Sequence, residues 1–583
     1  MIRLVLAVVV GTIVAAALLL MPPRSLEDGT SLSIDDSVRG AFHVHTRLSD
    51  GGGTVEDVAA AASRAGLRFV IVTDHGDGVR MTEAPVYRDG VLCIEGVEVS
   101  TDDGHLIGLG MGQSPYPLGG EGRDAVVDVV RLGGFAIAAH PTAPGRGVRW
   151  REWTAPFGGI EWLSVNNEWR NESYGTLVRT LLTYPVRPSE TLGGLLDRSE
   201  SAMARWDALT SRRRVIGLAG ADAHAFLGLP ATDDPPRRRS IGLPVPSYET
   251  VFNTVSITVS GVVLTGSAEE DARAVLDALR SGHVHSTIDA MARGGGLVFT
   301  ASSGRYTASA GDALTLDGEI QLKADVAGAP PGTRVVLLRD GKRIITREET
   351  SFIEMRPPES AVYRVEVELP DALGHRAVPW LVSNPIYVGK DAPSPSRSPP
   401  AASTSRLDRD LSSWLVEHSS ESEGAIDIGF AAGGEPQGTL RFALSGPLSS
   451  TQFAAMAVPT TTGLAERDRL SFRGLASRPM RVSVQLRVPG DGTDDGNDGM
   501  RWRRSVYLDS TARDVSLFFD DFRPVNLEDP AHPPLELVRS ILFIADTVNA
   551  RTGTNGQIVI SGLTAQAATP GGAATQVRTV RTR

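Results

Sequence analysis

Residues 40–53 read "GAFHVHTRLSDGGG", and the interpretation of the first half of the chain rests on them. His43 and His45 are two positions apart, and Asp50 follows five residues later. On a β-strand, side chains two positions apart point to the same face. Both imidazoles could therefore reach one metal ion. The chain has only 11 histidines in 583 residues, so the further ligands of such an ion have to be sought elsewhere in the sequence.

Further histidines and acids follow apolar runs. The segments "LRFVIVTDH", "GFAIAAHP" and "RVIGLAGADAH" each end in polar residues, and "IEGVEVSTDDGHLIGLG" carries a glutamate and a histidine on either side of an expected Asp-Asp-Gly hairpin turn. A single histidine after a strand is more often structural than a ligand. Six of the 11 histidines and three acids at such positions instead indicate one metal site. The nine residues are His43, His45, Asp50, His75, Glu98, His105, His140, Asp222 and His224.

Helical patterns separate these runs. In "TVEDVAAAASRAG", Thr54 is placed to cap a helix, Asp57 to complete a capping box and Gly66 to end the helix. Strands that alternate with helices predict a parallel sheet with crossover helices. In barrel enzymes the catalytic residues lie at the carboxyl ends of such strands.

The residue types restrict the metal. Cys93 is the only cysteine, so the chain can form no internal disulfide and no zinc-finger ligand set. Imidazole and carboxylate ligands suit manganese, iron or zinc rather than calcium.

The order His-x-His, Asp, Thr-Asp-His, Gly-x-Glu, His, His-Pro and Asp-x-His resembles the PHP (polymerase and histidinol phosphatase) domain, over residues 38–292. The "GHLIGLG" segment resembles the branch that acts on nucleoside bisphosphates and short oligonucleotides. The resemblance implies a distorted (β/α)7 barrel with two or three divalent ions. Carried over by position, one ion takes His43, His45, Glu98 and Asp222, a second takes Glu98, His105 and His140, and a third takes Asp50, His75 and His224.

The expected activity is hydrolysis of phosphate mono- or diesters by metal-activated water, with a small ester or nucleotide as substrate. The residues assigned to catalysis are His43, His45, Glu98 and Asp222. Two alternatives stay open: a non-catalytic metal-binding barrel in a surface binding protein, and a hydrolase of a non-phosphate substrate. No ligand position is missing from the series, which favours an enzyme.

Several other residues are candidates for secondary roles at the site. Asp74 could orient His75 or cap its strand, and Gly-x-Glu selects Glu98 over Glu95. The second His-x-His, in "GHVHST", has no carboxylate near it in sequence and is assigned to the surface or core. Candidate phosphate contacts lie in the long insertion after His140. They are Arg146, Arg149 and Arg170.

The second half of the chain is β-rich. Residues 293–389 show short alternating strands, with an Asp340-Gly341 turn, and predict an immunoglobulin-like β-sandwich. A Pro/Ser-rich linker is expected over 390–406 and a disordered tail over 567–583. Between them, residues 407–566 resemble galactose-binding-like jelly rolls, which implies a β-sandwich that either binds glycan or is purely structural.

The N-terminal residues 1–24 contain an uncharged run from Leu4 to Met21. As a helix it would be ~27 Å long at ~1.5 Å per residue, close to a bilayer's hydrocarbon core. An uncleaved transmembrane anchor, a cleaved signal peptide and a buried helix remain open, and residues 25–37 form a connector. The first two place the protein outside the cytoplasm, in the periplasm, on the cell surface or secreted. The net charge of -11 argues against stable nucleic-acid binding.

Overall fold

The computed structural model describes the chain except for residues 1–10, 12–19, 27–35, 146, 230–240, 371, 373–377, 390–400, 448–450, 461–462, 491–498, 527–529 and 569–583. The described chain is mostly β-structure and divides into two compact units. One unit comprises Met1–Gln113 with Ala125–Pro393, and the other comprises Ser114–Asp124 with Ser394–Arg583.

Among the described residues, no helix is long and apolar enough to cross a membrane. The predicted anchor, residues 4–21, lies outside the described residues except for Gly11, Leu20 and Met21.

The first unit begins with an α/β domain. Its strands are β1 (Ser37–Val44), β2 (Phe69–Val72), β3 (Val86–Arg88), β4 (Val91–Thr101), β5 (Gly104–Leu109), β6 (Phe135–Ala138), β7 (Gly159–Ser164), β8 (Ile216–Gly220), β9 (Leu227–Leu229), β10 (Ile241–Leu243), β11 (Ser256–Ser260) and β12 (Val284–Thr287). Its helices are α1 (Val55–Arg64), α2 (Gly122–Arg131), α3 (Val165–Glu168), α4 (Tyr174–Thr183), α5 (Pro188–Gly193), α6 (Glu200–Thr210), α7 (Tyr248–Phe252) and α8 (Ala268–Ser281).

Seven strands form a closed ring in the order β1, β2, β4, β5, β6, β7 and β8. The ring closes where Val44 bridges Ala223 in parallel and the Ala221 amide donates to the Phe42 carbonyl over 2.9 Å. Strand β5 runs antiparallel to both of its neighbours, and β11 pairs antiparallel with the first half of β1. The expected parallel barrel is therefore interrupted, because the Asp-Asp-Gly turn folds β5 back on β4 as a hairpin.

One apolar cluster holds this domain together. It includes side chains from β1, β2, β4, β5, β6 and β8, such as Phe42, Ile71 and Leu218, together with Val275 and Leu279 of α8. Each such side chain stabilises the fold by ~1.5–3 kcal/mol when fully buried. The polar residues at the strand ends are thus carried by a rigid apolar framework.

Helix α1 begins as the sequence predicts. The Thr54 side chain accepts from the Asp57 amide, the Asp57 carboxylate accepts from the Thr54 amide, and Gly66 follows the helix with a φ of 73°. The capping box and the left-handed glycine are therefore confirmed.

The β-sandwich of the first unit follows directly. Its strands are β13 (Gly296–Ser303), β14 (Tyr306–Ser309), β15 (Ala313–Leu314), β16 (Ile320–Ala327), β17 (Arg334–Arg339), β18 (Lys342–Arg347), β19 (Ser351–Arg356), β20 (Ala361–Glu368), β21 (Leu381–Ser383) and β22 (Ile386–Val388). Asp340 and Gly341 both have positive φ, 48° and 77°, and join β17 to β18 as the predicted hairpin turn. Strand β21 pairs with β12, so one sheet of the sandwich continues the barrel sheet.

The second unit contains two six-stranded sheets. Its strands are β23 (Ala401–Arg406), β24 (Leu415–His418), β25 (Ser422–Phe430), β26 (Pro436–Leu444), β27 (Phe453–Pro459), β28 (Arg469–Ala476), β29 (Met480–Pro489), β30 (Gly499–Leu508), β31 (Arg513–Phe518), β32 (Arg523–Pro524), β33 (Ser540–Asp546) and β34 (Asn555–Ala568). Large apolar side chains from both sheets, including Trp502 and Phe543, share one core.

Two predicted boundaries of this unit move. The last six residues of the expected linker, 401–406, form β23, which pairs with β34. Residues 567 and 568, expected in the tail, belong to β34. Both segments are rich in alanine, serine and threonine, and they are ordered by pairing with each other. The rest of the linker and tail, residues 390–400 and 569–583, lies outside the described residues.

Buried His285 on β12 predicts a pH effect on stability. Burial alone lowers the pKa of its imidazole to about 4, and its cross-strand neighbours Thr258 and Ser383 are uncharged. The unfolded chain takes up this proton below pH ~6.5, whereas the folded chain resists uptake until pH ~4. Stability therefore falls by ~3 kcal/mol as pH drops through this window. The denaturant midpoints of the native chain and a His285→Leu variant, compared at pH 7 and 4.5, should show a smaller drop in the variant. Equal drops would contradict the assignment.

Candidate metal centre

The nine predicted ligands meet at one end of the strand ring, with Glu98 of β4 in the middle. Its Oε1 lies 2.8 Å from His105 Nδ1 and 2.9 Å from His140 Nε2. Its Oε2 lies 3.2 Å from His43 Nε2, 3.1 Å from His45 Nε2 and 3.4 Å from His75 Nδ1. Five imidazoles from five separate positions in the chain thus surround one carboxylate.

Asp222 adds a second carboxylate to the inner part of the cluster. Its Oδ1 lies 3.6 Å from His43 Nε2 and 3.5 Å from His45 Nε2. Its Oδ2 accepts hydrogen bonds from the Ser164 hydroxyl at 3.1 Å and the Asn167 amide at 3.4 Å. These two residues lie at the end of β7 and in α3, and they hold the Asp222 carboxylate in place.

Asp50 closes the outer part of the cluster. Its Oδ2 lies 3.3 Å from His224 Nε2 and 3.6 Å from His75 Nε2, and its Oδ1 lies 3.5 Å from His45 Nδ1. The loop after β1 thus brings Asp50 to its own His45 and to the imidazoles of two other segments.

Four groups of these side chains have ligand atoms within 4.8 Å of one another. They are His45 with Asp50, His75 and His224; His43 with Glu98 and His140; His43 with His45 and Asp222; and His75 with Glu98 and His105. The grouping departs from the expected partition at several points: His140 groups with His43, His105 groups with His75, and His45 also joins the Asp50 group. All nine expected residues occur in at least one group.

The spacing suits divalent ions. Metal–ligand bonds of ~2.1 Å in tetrahedral or octahedral geometry place neighbouring ligand atoms ~3.0–3.4 Å apart. The contacts of Glu98 fall in or near this range. Three buried imidazole nitrogens, His45 Nε2, His75 Nδ1 and His140 Nδ1, also make no aligned hydrogen bond among the described residues, although Glu98 Oε2 lies 3.1 and 3.4 Å from the first two. A buried nitrogen without a partner costs free energy, and a bound ion would satisfy it at His45 and His75.

The backbone is strained at the same place. His43, His140 and Asp222 have φ values of 66°, 23° and 46°, in the region that side chains other than glycine rarely adopt. At His43 the register between β1 and β2 shifts, so the strand bulges at the first histidine of the pair. Such residues cost ~1–3 kcal/mol each and cluster at functional sites.

The solvent exposure of the ligand side chains differs between the two sides of the cluster. The side chains of His43, His45 and Glu98 are at most 1% exposed, whereas those of His75 and Asp50 are 32% and 31% exposed. The cluster is therefore open to solvent on the His75 and Asp50 side, and the inner carboxylate stays away from bulk water.

The electrostatics favour metal binding at His45 and the carboxylates but not at every imidazole. Burial would lower the pKa of His43, His75, His140 and His224, but the acids beside them outweigh it and raise these pKa values, so a cation competes with protons there. Burial lowers the pKa of His45 to about 4, and the neighbouring His224 acts in the same direction. Burial alone would raise the pKa of Glu98, but His43, His105 and His140 outweigh it and lower that pKa well below its usual range. A neutral imidazole and ionised carboxylates are the forms that bind cations.

Glu161 of β7 was missed by the sequence reasoning. Its Oε1 lies 2.7 Å from His43 Nδ1, and its Oε2 accepts from the His140 backbone amide at 2.6 Å. A carboxylate at this position keeps the proton of His43 on Nδ1 and leaves Nε2 to face Glu98. A signal was present in the sequence: Glu161 is the one charged residue in the fully buried strand "GIEWLS".

Gly220, on β8, leaves the space that Glu161 occupies. A Cβ at Gly220 would lie 1.8 Å from Glu161 Oε1. A Gly220→Ala substitution should displace this carboxylate, release His43 and weaken metal affinity ~10- to 100-fold, the usual effect of losing a residue that orients a ligand. Metal titration of the variant would measure this. Gly217→Ala, on the same strand but against Trp206, serves as a control for lost stability, and equal metal affinities in the two variants would contradict the role of Gly220.

The other candidates have different surroundings. Asp74 accepts from the Thr46 amide, the Thr46 hydroxyl and the Ser49 hydroxyl, so it braces the loop after β1 rather than the His75 ring. Glu95 accepts from Arg80 and the Glu83 amide.

The two histidines of the second His-x-His pair, His283 just before β12 and His285 on it, have different surroundings. His285 is buried, whereas His283 is partly exposed and its Nε2 lies 3.0 Å from Asp312. The carboxylate that the local sequence lacks therefore comes from 29 residues further along.

The arginines of the insertion contact protein groups. Arg149 donates to the carbonyls of Ala143 and Pro144, and Arg170 stacks over Trp169 at 5.5 Å. Arg146 lies outside the described residues. Among the described residues, neither Arg149 nor Arg170 contacts any of the nine ligands.

At the sequence level, no family model and no curated protein matches the chain. Among solved structures, a two-domain protein from Bacteroides vulgatus containing a predicted PHP-like metal-dependent phosphoesterase covers 62% of this chain and 99% of its own, with 14% identity and a TM-score of 0.27. A family 11 carbohydrate-binding module from Clostridium thermocellum, in complex with a β-1,3-1,4-mixed-linked tetrasaccharide, covers 28% of this chain and 96% of its own, with 14% identity and a TM-score of 0.24.

Proposed function

We propose that the α/β domain is a metal-dependent phosphoesterase that hydrolyses phosphate mono- or diesters, nucleotides among them. The observation that carries the proposal is the set of five imidazoles within 2.8–3.4 Å of the Glu98 carboxylate. A structural role would require one or two partners for a buried acid. Five imidazoles around one carboxylate, with two more carboxylates beside them, are the ligands of more than one cation.

The ligands suit two or three ions of manganese, iron or zinc. Glu98 would serve as a ligand through both of its oxygens, which face different imidazoles. When bound, such ions supply a water that ionises near pH ~7 and a positive charge that stabilises both the attacking and the leaving oxygen of an ester.

The chain's own residues position and shield this chemistry. Glu161 fixes His43, and Ser164 and Asn167 fix Asp222. The burial of Glu98 keeps competing water away from the inner ligands. His75 and Asp50 are the most exposed ligands, so the ester phosphate enters beside them and its leaving group departs on that side.

The nucleotide part of the proposal is supported by the resemblance of the "GHLIGLG" segment to the nucleoside-bisphosphate branch. It is tested with the purified full chain against p-nitrophenyl phosphate, bis-p-nitrophenyl phosphate and 3′,5′-bisphosphonucleosides. We expect turnover of at least one ester, loss of turnover after chelation, and recovery when manganese, iron or zinc is added back. Metal binding without turnover of any ester would contradict the phosphoesterase and favour a silent barrel or another substrate class.

We also propose a cellular location for the protein and a ligand class for the second unit. The uncharged run from Leu4 to Met21 supports an extracytoplasmic, membrane-anchored protein. The resemblance of residues 407–566 to galactose-binding-like folds supports glycan binding by that unit. Cell fractionation and retention of the full chain on glycans test the two ideas separately.

A further inference from the structure

Helix α4 (Tyr174–Thr183) exposes an apolar face to solvent. Tyr174, Val178 and Leu181 are 90%, 58% and 76% exposed. They are four and three positions apart, so they lie on one face of the helix. Apolar residues that are exposed singly need no explanation, but three on one helix face form a patch. Exposed apolar patches mark sites that bind another protein or a membrane.

The same helix holds the end of the N-terminal apolar run. The sequence is uncharged over residues 4–21. Arg179 of α4 donates through its Nε to the Leu20 carbonyl over 2.8 Å. Arg187, which follows α4, donates to the Pro22 carbonyl. Both hydrogen bonds go to the backbone, so the last residues of the run are held against α4.

The chain just after the run is held by the same domain. The Ser25 amide donates to Glu190 Oε1 of α5 at 3.4 Å, and the Leu26 amide donates to the Met291 carbonyl at 2.8 Å. Residues 20–26 therefore follow a fixed path along the domain, and no free connector separates the end of the run from α4.

The length of the run determines where its end would lie in a bilayer. As a helix, residues 4–21 would span ~27 Å at ~1.5 Å per residue, close to the ~30 Å hydrocarbon core. Leu20 and Met21 would then lie at the boundary between the acyl chains and the headgroups. Because the Arg179 side chain contacts the Leu20 carbonyl directly, α4 would lie within one side-chain length of that boundary.

The groups around this point suit a layer of phospholipid headgroups. A recess of about 720 Å³ opens beside Met21. Its charged lining consists of three arginines and two glutamates, namely Arg24, Arg187, Arg293, Glu190 and Glu249. Glu249 is already paired with Arg64 over 2.6 Å, so positive charge predominates in the recess. Basic residues near a bilayer surface are attracted to anionic lipids, and tyrosine is enriched at membrane–water interfaces.

We propose that the α4 face formed by Tyr174, Val178 and Leu181 contacts the surface of a lipid bilayer, with the arginines of the recess beside anionic headgroups. The inference rests on the membrane anchor proposed above and adds a second contact to it, which holds the α/β domain on the bilayer. Helices of this kind insert their apolar face ~5–10 Å into the boundary between headgroups and acyl chains.

The test uses the full chain in vesicles of phosphatidylcholine and phosphatidylglycerol, with a fluorescent probe on one introduced cysteine. Cys93 is buried, and burial raises the pKa of its thiol to about 11, so it does not compete for the probe at neutral pH. Leu181→Cys carries the probe on the proposed face. Val263→Cys is the control, because Val263 is 63% exposed and follows β11 at the end of the barrel where β1 begins.

Two quenchers report where each probe lies. We expect lipids with a nitroxide near the headgroup to quench the probe of Leu181→Cys, and iodide in the water phase to leave it unquenched. The probe of Val263→Cys should lose its fluorescence to iodide and not to the nitroxide lipids.

Flotation with the vesicles, measured on the same samples, separates the contact from the anchor. A chain that floats while iodide quenches Leu181→Cys as strongly as Val263→Cys would overturn the contact and leave the anchor standing. A chain that does not float would overturn both. A probe of Leu181→Cys that neither iodide nor the nitroxide lipids quench would show that a protein surface, such as a second copy of the chain, covers α4, and would also overturn the proposal.

Discussion

Replacing Glu98 by glutamine should remove the bound metal and lower ester turnover by at least ~10³-fold. The Glu98 carboxylate is the one acid that contacts five imidazoles, and both of its oxygens are used. A neutral amide presents one oxygen and one N–H₂ group, so it cannot bridge two cations. The loss of several kcal/mol of charge stabilisation corresponds to the stated factor in rate. Elemental analysis and turnover, measured on the same preparation, would test the prediction.

Glu95 provides the matched control. It lies three residues earlier on the same strand, and its carboxylate accepts from Arg80 and the Glu83 amide, away from the imidazoles. Glu95→Gln should retain metal and turnover. If Glu98→Gln retained its metal, or if both variants lost activity equally, the central place of Glu98 would be contradicted.

Replacing Glu161 by glutamine should weaken metal affinity by ~10- to 100-fold while the nine ligands remain in the chain. Both groups that contact the Glu161 carboxylate, His43 Nδ1 and the His140 amide, are donors in this arrangement. A glutamine would set its own N–H₂ group against one of them, which would misalign His43 or the strained backbone at His140. Losses of this size are usual when a residue that orients a metal ligand is removed. Metal titration of the stripped protein would measure the change.

A second buried glutamate separates this effect from lost stability. Glu366 of β20 is fully buried, and its carboxylate accepts from Arg198 and Arg364. Both Glu366→Gln and Glu161→Gln should lower the melting temperature, since each leaves a buried donor poorly satisfied. Only Glu161→Gln should change metal affinity. Equal affinities in the two variants would assign Glu161 a purely structural role.

Much of the site could be predicted from the sequence because its ligands stand at recognisable places. Histidines and acids such as His140 and Asp222 directly follow apolar runs, and both their residue type and their position distinguish them from ordinary surface residues. The hairpin that carries Glu98 and His105 was also visible, from its Asp-Asp-Gly turn. His140 and Asp222 follow the ends of β6 and β8, and parallel strands bring such ends together, whereas Glu98 and His105 lie within the hairpin of β4 and β5.

The rest depends on contacts between distant segments. Glu161 lies inside a strand, and nothing in the local sequence indicates a role for an acid there. Its role is visible only in the structure, where His43 and the His140 amide contact it. The strand at 401–406 has the composition of a linker and is ordered only through β34. His283 finds Asp312 across a domain boundary. Local pattern carries none of this information, because each pairing is decided by tertiary packing.

The most direct test of the metal-dependent phosphoesterase is a titration of the metal-stripped full chain with manganese or zinc, in which bound equivalents and turnover of bis-p-nitrophenyl phosphate are measured on the same samples. A chain with both His43→Ala and His45→Ala is titrated in parallel. We predict two or three bound equivalents and turnover that rises with occupancy in the native chain, with fewer equivalents and no turnover in the double variant. No stoichiometric binding by the native chain, or equal turnover in the two chains, would contradict the account.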